Sequence, residues 1–279
     1  MDGDQLKKAE EFQALHRRGE AFVIPNPWDI GTARILAALG FEALATTSAG
    51  VAFSLGRRDN EGAVDRDEAL SHIRPLVTAT PLPISADLED GYGAAPETVA
   101  ETIRLAAATG IVGGSIEDAT GDRQAPIYAF DHALERIEAA VEAARSLDFP
   151  FTLTARAENF LHGRPDLDDT IERLRAFAAA GADALYAPGL TDLEQIRTLC
   201  DAVDKPVNVV AGLGEFRLSV AELSQAGVRR ISLGSALSRA ALGAFISAAR
   251  EIKDHGTFDF AASAASFRDI SVFMQRTEK

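Results

Sequence analysis

Cysteine is all but missing from this 279-residue chain. Cys200 is the single one, so neither an internal disulfide nor a cysteine-rich metal site can form. Basic residues are outnumbered: 28 Lys and Arg stand against 42 Asp and Glu, a formal charge of −14. A surface that acidic repels phosphate backbones and anionic lipids, which argues against nucleic-acid or membrane binding as the principal task. No apolar run approaches the roughly 18 residues needed to span a bilayer. The opening stretch, MDGDQLKKAEEFQALHRRGE, is charged throughout and has no secretory apolar core. Linkers rich in Pro, Ser and Gly are missing too. What is present is 47% hydrophobic and 25% charged residues, enough for a packed core under a charged surface and too apolar for disorder. The expectation is a soluble, cytoplasmic, single-domain protein.

The organising pattern is an alternation of periods. Short apolar runs of strand length are followed by longer stretches with helical spacing. The strand-like runs are AFVI from Ala21, FEALA from Phe41, LPISA from Leu82, GGSIE from Gly113, FTLTA from Phe151, ALYA from Ala184, VNVVA from Val207 and RISLG from Arg230. They are continuously apolar, as strands are when helices cover a parallel sheet. Between them AALGFEA, AATGIVG, AAAGADA and SQAGVRR each place Gly where a helix must end and turn back. Eight such units predict an α/β fold, the (β/α)8 TIM barrel. A doubly wound open sheet is the competitor. It usually carries a glycine fingerprint after the first strand, and here that turn reads PNPWDIG. Residues 1–257 are assigned to the barrel and an N-terminal helix leading across its base. Residues 258–279 are assigned to a C-terminal helical extension. Phe258, Phe260, Phe267, Ile270, Phe273 and Met274 make that tail apolar, so it needs a surface to cover, on its own barrel or on a neighbouring subunit.

In such barrels the chemistry lies just beyond the C-terminal strand ends. Those positions hold Thr46–Gly50 after the second strand, Asp87, Glu89 and Asp90 after the third, and Glu117 and Asp118 after the fourth. Arg156 and Glu158 follow the fifth, and Asn208 lies in the seventh. Asp87, Glu89 and Glu117 would repel one another unless a cation joined them. An oxygen-only donor set points to a hard ion, Mg²⁺ or alternatively Mn²⁺, with Asp87 as direct ligand and the two glutamates acting through water. Arg156 is either a fork for a substrate carboxylate or a structural partner of Glu158 or Glu117. Ser48, Ala49 and Gly50 either aim backbone N–H groups at an oxyanion or make a simple turn. Asn208 either binds substrate or bridges strands, and Asp90 and Asp118 read as caps and loop acids. The segment Ala52–Val64, with Gly56 and Gly62 around Arg57, Arg58 and Asp59, reads as a loop that closes over substrate, against a plain surface loop. Of the five histidines only His162 falls where it could reach the mouth. Cys200 reads as packing.

SADLEDGYG, SIED and TARAENF, in this order and spacing, resemble the isocitrate lyase/phosphoenolpyruvate mutase superfamily, and PNPWDIGTARI and RRISLGSAL extend the resemblance over about Val23–Ala248. The resemblance implies a (β/α)8 barrel, a Mg²⁺ site and a homo-oligomer, dimer or tetramer, whose partners exchange a C-terminal helix. It implies chemistry on small 2-oxo or 2-hydroxy carboxylates through an enolpyruvate-like oxyanion. By motif, Asp87 matches the direct metal ligand and Glu89 and Glu117 the water-mediated acids. Ser48, Ala49 and Gly50 match the oxyanion turn, Arg156 the carboxylate clamp, Asn208 a substrate contact and Asp59 a gating-loop aspartate. Arg156, Asp59 and Glu117 are thus the candidate catalytic residues.

The departures are as informative. The family's lyases carry a cysteine in a KKCGH-like loop and its mutases a KTGNS-like loop, whereas this chain has DATGDRQAPIYAF there. Where the lyases have Glu after the sixth strand, this chain has Pro188-Gly189. The expected function is a Mg²⁺-dependent lyase acting on a small 2-oxo or 2-hydroxy (di)carboxylate by decarboxylation or C–C cleavage. The alternatives are P–C chemistry of the phosphoenolpyruvate mutase or phosphonopyruvate hydrolase type, and a barrel that binds oxocarboxylates without catalysis. Specificity is expected in Ala119–Phe130 and around Asn159–Arg164.

Overall fold

The structure is a computed structural model that describes residues 3–59, 62–214 and 216–275. Residues 60 and 61 of the expected closing loop and 276–279 of the expected tail lie outside the described residues, as do the first two of the leading segment. Eight strands follow one another: β1 (Phe22–Ile24), β2 (Leu44–Ala45), β3 (Ile84–Asp87), β4 (Gly113–Glu117), β5 (Thr152–Arg156), β6 (Ala184–Tyr186), β7 (Val207–Val210) and β8 (Arg230–Ser232). The helices are α1 (Gly3–His16), α2 (Ile30–Ala38), α3 (Ser48–Ser54), α4 (Arg66–Ala79), α5 (Pro96–Ala107), α6 (Phe130–Arg145), α7 (Leu167–Ala180), α8 (Leu193–Ala202), α9 (Val220–Gln225), α10 (Ala236–His255) and α11 (Phe267–Phe273).

All strand pairs are parallel, in the order β1-β8-β7-β6-β5-β4-β3-β2. The seam between β1 and β2 is closed by one backbone bond, Ala45 N–H to Pro25 O at 3.0 Å. Pro25 and Pro27 have no N–H to add a second rung there. Asn26 compensates from its side chain. Its Nδ2 donates to Thr46 O, and its Oδ1 accepts the amides of Leu233 and Gly234, tying the ends of β1, β2 and β8 together. The expected strand from Phe41 shrinks to two residues, because only Leu44 and Ala45 meet partners on β3.

The apolar strand runs are buried almost throughout, as two-sided coverage by helices demands. Helix ends follow their sequence signals. Asp29 and Thr32 form a capping box on α2, and Gly181 ends α7 at φ 114°, a conformation costly for other residues. Helix α1 seals the N-terminal end of the barrel, burying Ala9, Phe12 and Leu15 with Phe22, Ile24, Ala43 and Val112. Its Phe12 ring leaves no room on β4: a Cβ on Gly113 would stand 3.0 Å from it and 2.8 Å from Thr152 O. At the other end of the chain, α11 rests on α2, where Arg34 donates to Met274 O at 3.3 Å. Most other described residues of the tail are exposed, and so is the α10 helix before it. Phe245 on α10 is 70% exposed and Phe267 90%, and Ser238 is the one buried residue of α10. No helix among the described residues is long and apolar enough to cross a membrane.

Candidate active site

The strand ends surround a cavity of about 320 Å³ at the C-terminal face. Asp59, Asp87, Glu89, Glu117 and Glu158 line it, with Arg156, Arg230, His162, Tyr186 and Asn208. Asp87 ends β3, Glu117 ends β4 and Arg156 ends β5, so register alone brings these three together: Glu117 pairs with Arg156, and Asp87 pairs with Ser115 one turn of the pleat below.

Arg156 is the hub. Its Nη1 donates to Asp87 Oδ1 at 3.0 Å, its Nη2 reaches Glu117 Oε2 at 2.9 Å and its Nε donates to Glu158 Oε1 at 2.8 Å. Burial alone would weaken its charge, but Glu117, Glu158 and Asp87 outweigh it and hold the guanidinium well above its ordinary pKa. Three acids on one cation remain a surplus of negative charge. Burial pushes Glu117 and Glu158 upward against the pull of Arg156. Glu89 forms no ion pair among the described residues and is pushed up to about 8 by burial, then by Asp87, Asp59 and Asp90, with Arg156 pulling weakly the other way. Glu89 also sits in a left-handed backbone conformation (φ 49°), as does Tyr92 (φ 62°). Non-glycine residues hold such angles at a cost of about 1–3 kcal/mol, and they do so most often at functional sites.

Does a hard cation fit? The donors are all oxygens, and buried acids outnumber the cations among them, which is the chemistry of a Mg²⁺ or Mn²⁺ site. Among the described residues, however, no three His, Cys, Asp or Glu side chains stand together closely enough to chelate an ion by themselves. Arg156 lies among the carboxylates instead. The arrangement therefore suits an ion that takes one or two carboxylates and completes its shell with water, as Mg²⁺ does.

The other expected site residues are placed as follows. Ser48, Ala49 and Gly50 form the first turn of α3 rather than an open turn. Ser48 N–H donates to Asp87 Oδ2 at 3.2 Å and Gly50 N–H to the capping Thr47 Oγ1 at 3.3 Å. Ser48 and Ala49 line the cavity. Gly50 is needed for packing, since a Cβ there would lie 2.6 Å from Thr47 Cγ2. Asn208 both lines the cavity and bridges strands: its Nδ2 donates to Ser232 Oγ, and its Oδ1 accepts from Arg230 Nε. Asp59 faces the cavity from the segment after α3, while residues 52–54 of the expected closing loop are helical. Asp118 points away, accepting from Glu158 N–H and Arg173. His162 reaches the mouth together with Leu161.

None of the Ala119–Phe130 residues lines this cavity. That loop carries an antiparallel bridge, Ala119 to Ile127, whereas Leu161 and His162 of the other expected specificity segment do line the cavity. Sequence reasoning passed over Tyr186 and Arg230. A charge opening the otherwise apolar RISLG run was the signal for Arg230.

A family model described as phosphoenolpyruvate phosphomutase matches residues 12–253. Among solved structures, a protein of Burkholderia cenocepacia J2315 with a provisional lyase/mutase assignment superimposes with a TM-score of 0.95. It is 61% identical, covering 99% of this chain and 98% of its own. The 2-methylisocitrate lyase of Escherichia coli K12 is 32% identical over 73% of this chain and 72% of its own. The oxaloacetate decarboxylase of Chromohalobacter salexigens is 28% identical over 92% and 90%. Members of this group are lyases or mutases. With the barrel, the strand-end acids and the match over residues 12–253, this chain belongs to the isocitrate lyase/phosphoenolpyruvate mutase superfamily.

Proposed function

We propose that this protein is a Mg²⁺-dependent lyase that decarboxylates or cleaves a small 2-oxo or 2-hydroxy dicarboxylate through an enolate. The observation that carries the reading is the convergence of Asp87, Glu89, Glu117 and Arg156 on one buried cavity. Asp87 would hold the ion directly, with Glu89 and Glu117 through water. Mg²⁺ bound there supplies positive charge near the oxygen on which the enolate develops.

The chain's own groups do the rest. Arg156 orients a substrate carboxylate with its planar fork, while Glu158 keeps Nε and fixes the direction of that fork. Two of its nitrogens contact candidate metal ligands, and they become available to substrate once those acids are engaged. Ser48 and Ala49 present the first turn of α3 to the cavity, where the positive end of the helix favours an oxyanion once Asp87 is engaged and releases the Ser48 amide. The Cys and Lys of the family's lyase loop are not among the cavity-lining residues, which leaves His162 and the upshifted Glu89 and Glu117 as the proton donors at hand. Release of CO₂ needs no acid on the departing group, so the missing loop cysteine favours decarboxylation. Asp59 and its segment serve to exclude water. The acidic composition and single cysteine fit a cytoplasmic enzyme, and the bare tail fits a homo-oligomer.

The test is thermal unfolding with Mg²⁺, with oxalate and with both. Oxalate is a planar dianion that mimics an enolpyruvate group. A ligand at about 100 times its Kd adds roughly 2.7 kcal/mol. For this chain length that is an upward shift of about 5 °C. A shift that needs both components supports the reading, and none with either Mg²⁺ or Mn²⁺ refutes it. The phosphomutase family match favours P–C chemistry as the second reading. ³¹P spectra of reactions with phosphonopyruvate separate the two.

A further inference from the structure

The floor of the cavity holds a second cation. Arg230 opens β8, is 5% exposed and lines the same cavity as Asp87 and Arg156. Its partners are all neutral. Nε donates to Asn208 Oδ1 at 2.9 Å, Nη2 donates to Thr154 Oγ1 at 2.9 Å, and Nη1 lies 3.4 Å from His16 Nε2. His16 gives no counter-charge. Its Nδ1 lies 2.8 Å from Phe12 O and so carries the proton, leaving Nε2 as an acceptor, and burial beside Arg230 pushes the ring down to about 3.

Arg136 is the other fully buried arginine that no salt bridge reaches among the described residues, and the contrast is useful. Burial lowers its pKa too, but it stacks 4.1 Å over the Tyr128 ring, and Tyr128, Asp90, Asp118 and Glu117 favour its charge. For Arg230 burial lowers the pKa to about 10, Tyr186 favours its charge, Arg156 repels it, and no carboxylate is among the causes. A buried cation with neutral partners is expensive unless an anion joins it. Three of its five N–H groups are used, which leaves two. Arg230 also sets the direction of Asn208. Because Asn208 Oδ1 is taken by Nε, its amide nitrogen faces Ser232 and the cavity as a donor.

We propose that Arg230 and the Asn208 amide it orients form an anion subsite on the cavity floor, which takes the second carboxylate of the substrate and selects diacids over monoacids. The proposal rests on the lyase reading and deepens it by naming the residues that take the second carboxylate. Oxalate, with no atoms beyond the oxyanion–carboxylate unit, belongs at the metal end and serves as the control. Malate and lactate are both 2-hydroxy acids and differ by the second carboxylate.

Calorimetric titration of the full chain in Mg²⁺ compares these three ligands for the parent, Arg230→Met and Arg230→Lys. The parent is expected to bind malate at least about 10-fold tighter than lactate, the scale of a charge-assisted hydrogen bond. Arg230→Met should erase that preference and leave oxalate within about threefold, the resolution needed to separate the effects. Equal loss of malate and oxalate would mean a purely structural arginine and overturn the proposal. So would a parent that does not prefer malate while it binds oxalate with Mg²⁺. If Arg230→Met does not fold, Arg230→Lys decides, because it keeps the charge and loses the fork. A reduced malate preference with oxalate intact supports the subsite, and an unchanged preference overturns it. A parent that binds no oxalate with Mg²⁺ removes the lyase reading itself and the subsite with it.

Discussion

Replacing Arg156 by methionine keeps the bulk of the stem and deletes the cation that Asp87, Glu117 and Glu158 share. The four side chains are between 2% and 18% exposed, so water screens them little. Removing one partner of a buried ion pair destabilises by about 3–5 kcal/mol. With about 2.1 cal/mol/K of unfolding entropy per residue over 279 residues, that lowers Tm by about 5–9 °C. The loss depends on pH in a definite direction. Without Arg156 the buried acids bind protons more tightly folded than unfolded, so their stability contribution is present at low pH and vanishes as pH rises. The deficit is therefore largest near pH 8, shrinks towards pH 5, and is partly repaired by Mg²⁺. Circular-dichroism melts of parent and variant at pH 5, 6.5 and 8, in EDTA and in Mg²⁺, measure all three. An equal deficit at pH 5 and 8, or a variant as stable as the parent at pH 8 in EDTA, would show that Arg156 does not neutralise these acids.

Four further outcomes are expected. In the metal-free protein Glu89 keeps its proton to about pH 8 against an ordinary 4.5, so its contribution is present below about 4.5 and is lost as pH rises through about 8. Glu89→Gln should flatten Tm against pH in that window, and an unchanged slope contradicts the assignment. Asp87→Ala should abolish both turnover and the Mg²⁺-dependent shift with oxalate while circular dichroism stays native; retained turnover would remove Asp87 from the metal site. Gly50→Ala places a methyl 2.6 Å from Thr47 Cγ2 and 3.1 Å from Trp28 Cβ, and should cost about 1–3 kcal/mol, read as a lowered Tm. Truncation after Gly256 should shrink the species seen by gel filtration, because the bare apolar tail is expected to cover a neighbouring subunit; unchanged size and solubility would rule that out.

The barrel was legible because its signals are local. Burial on both faces makes strands continuously apolar, and glycines such as Gly181 stop helices at predictable places. Strand ends such as Asp87, Glu117 and Arg156 were legible for the same reason: a charge directly after an apolar run must face the mouth. The short β2 was not, since its length depends on which residues of β3 it meets. The bridge from Ala119 to Ile127 was not legible either, since it forms within a loop that has no strand period.

The sequence by itself determined the eight-unit order, the acids at the strand ends and the family, because each rests on neighbours close along the chain. Tertiary structure alone decided who pairs with whom. That Arg156 binds three acids at once, and that Asn208 is turned by Arg230, follows from strands whose register brings residues 87, 117, 156, 208 and 230 around one cavity. Charge balance in a buried site is a sum over such distant neighbours. No window along the chain contains it.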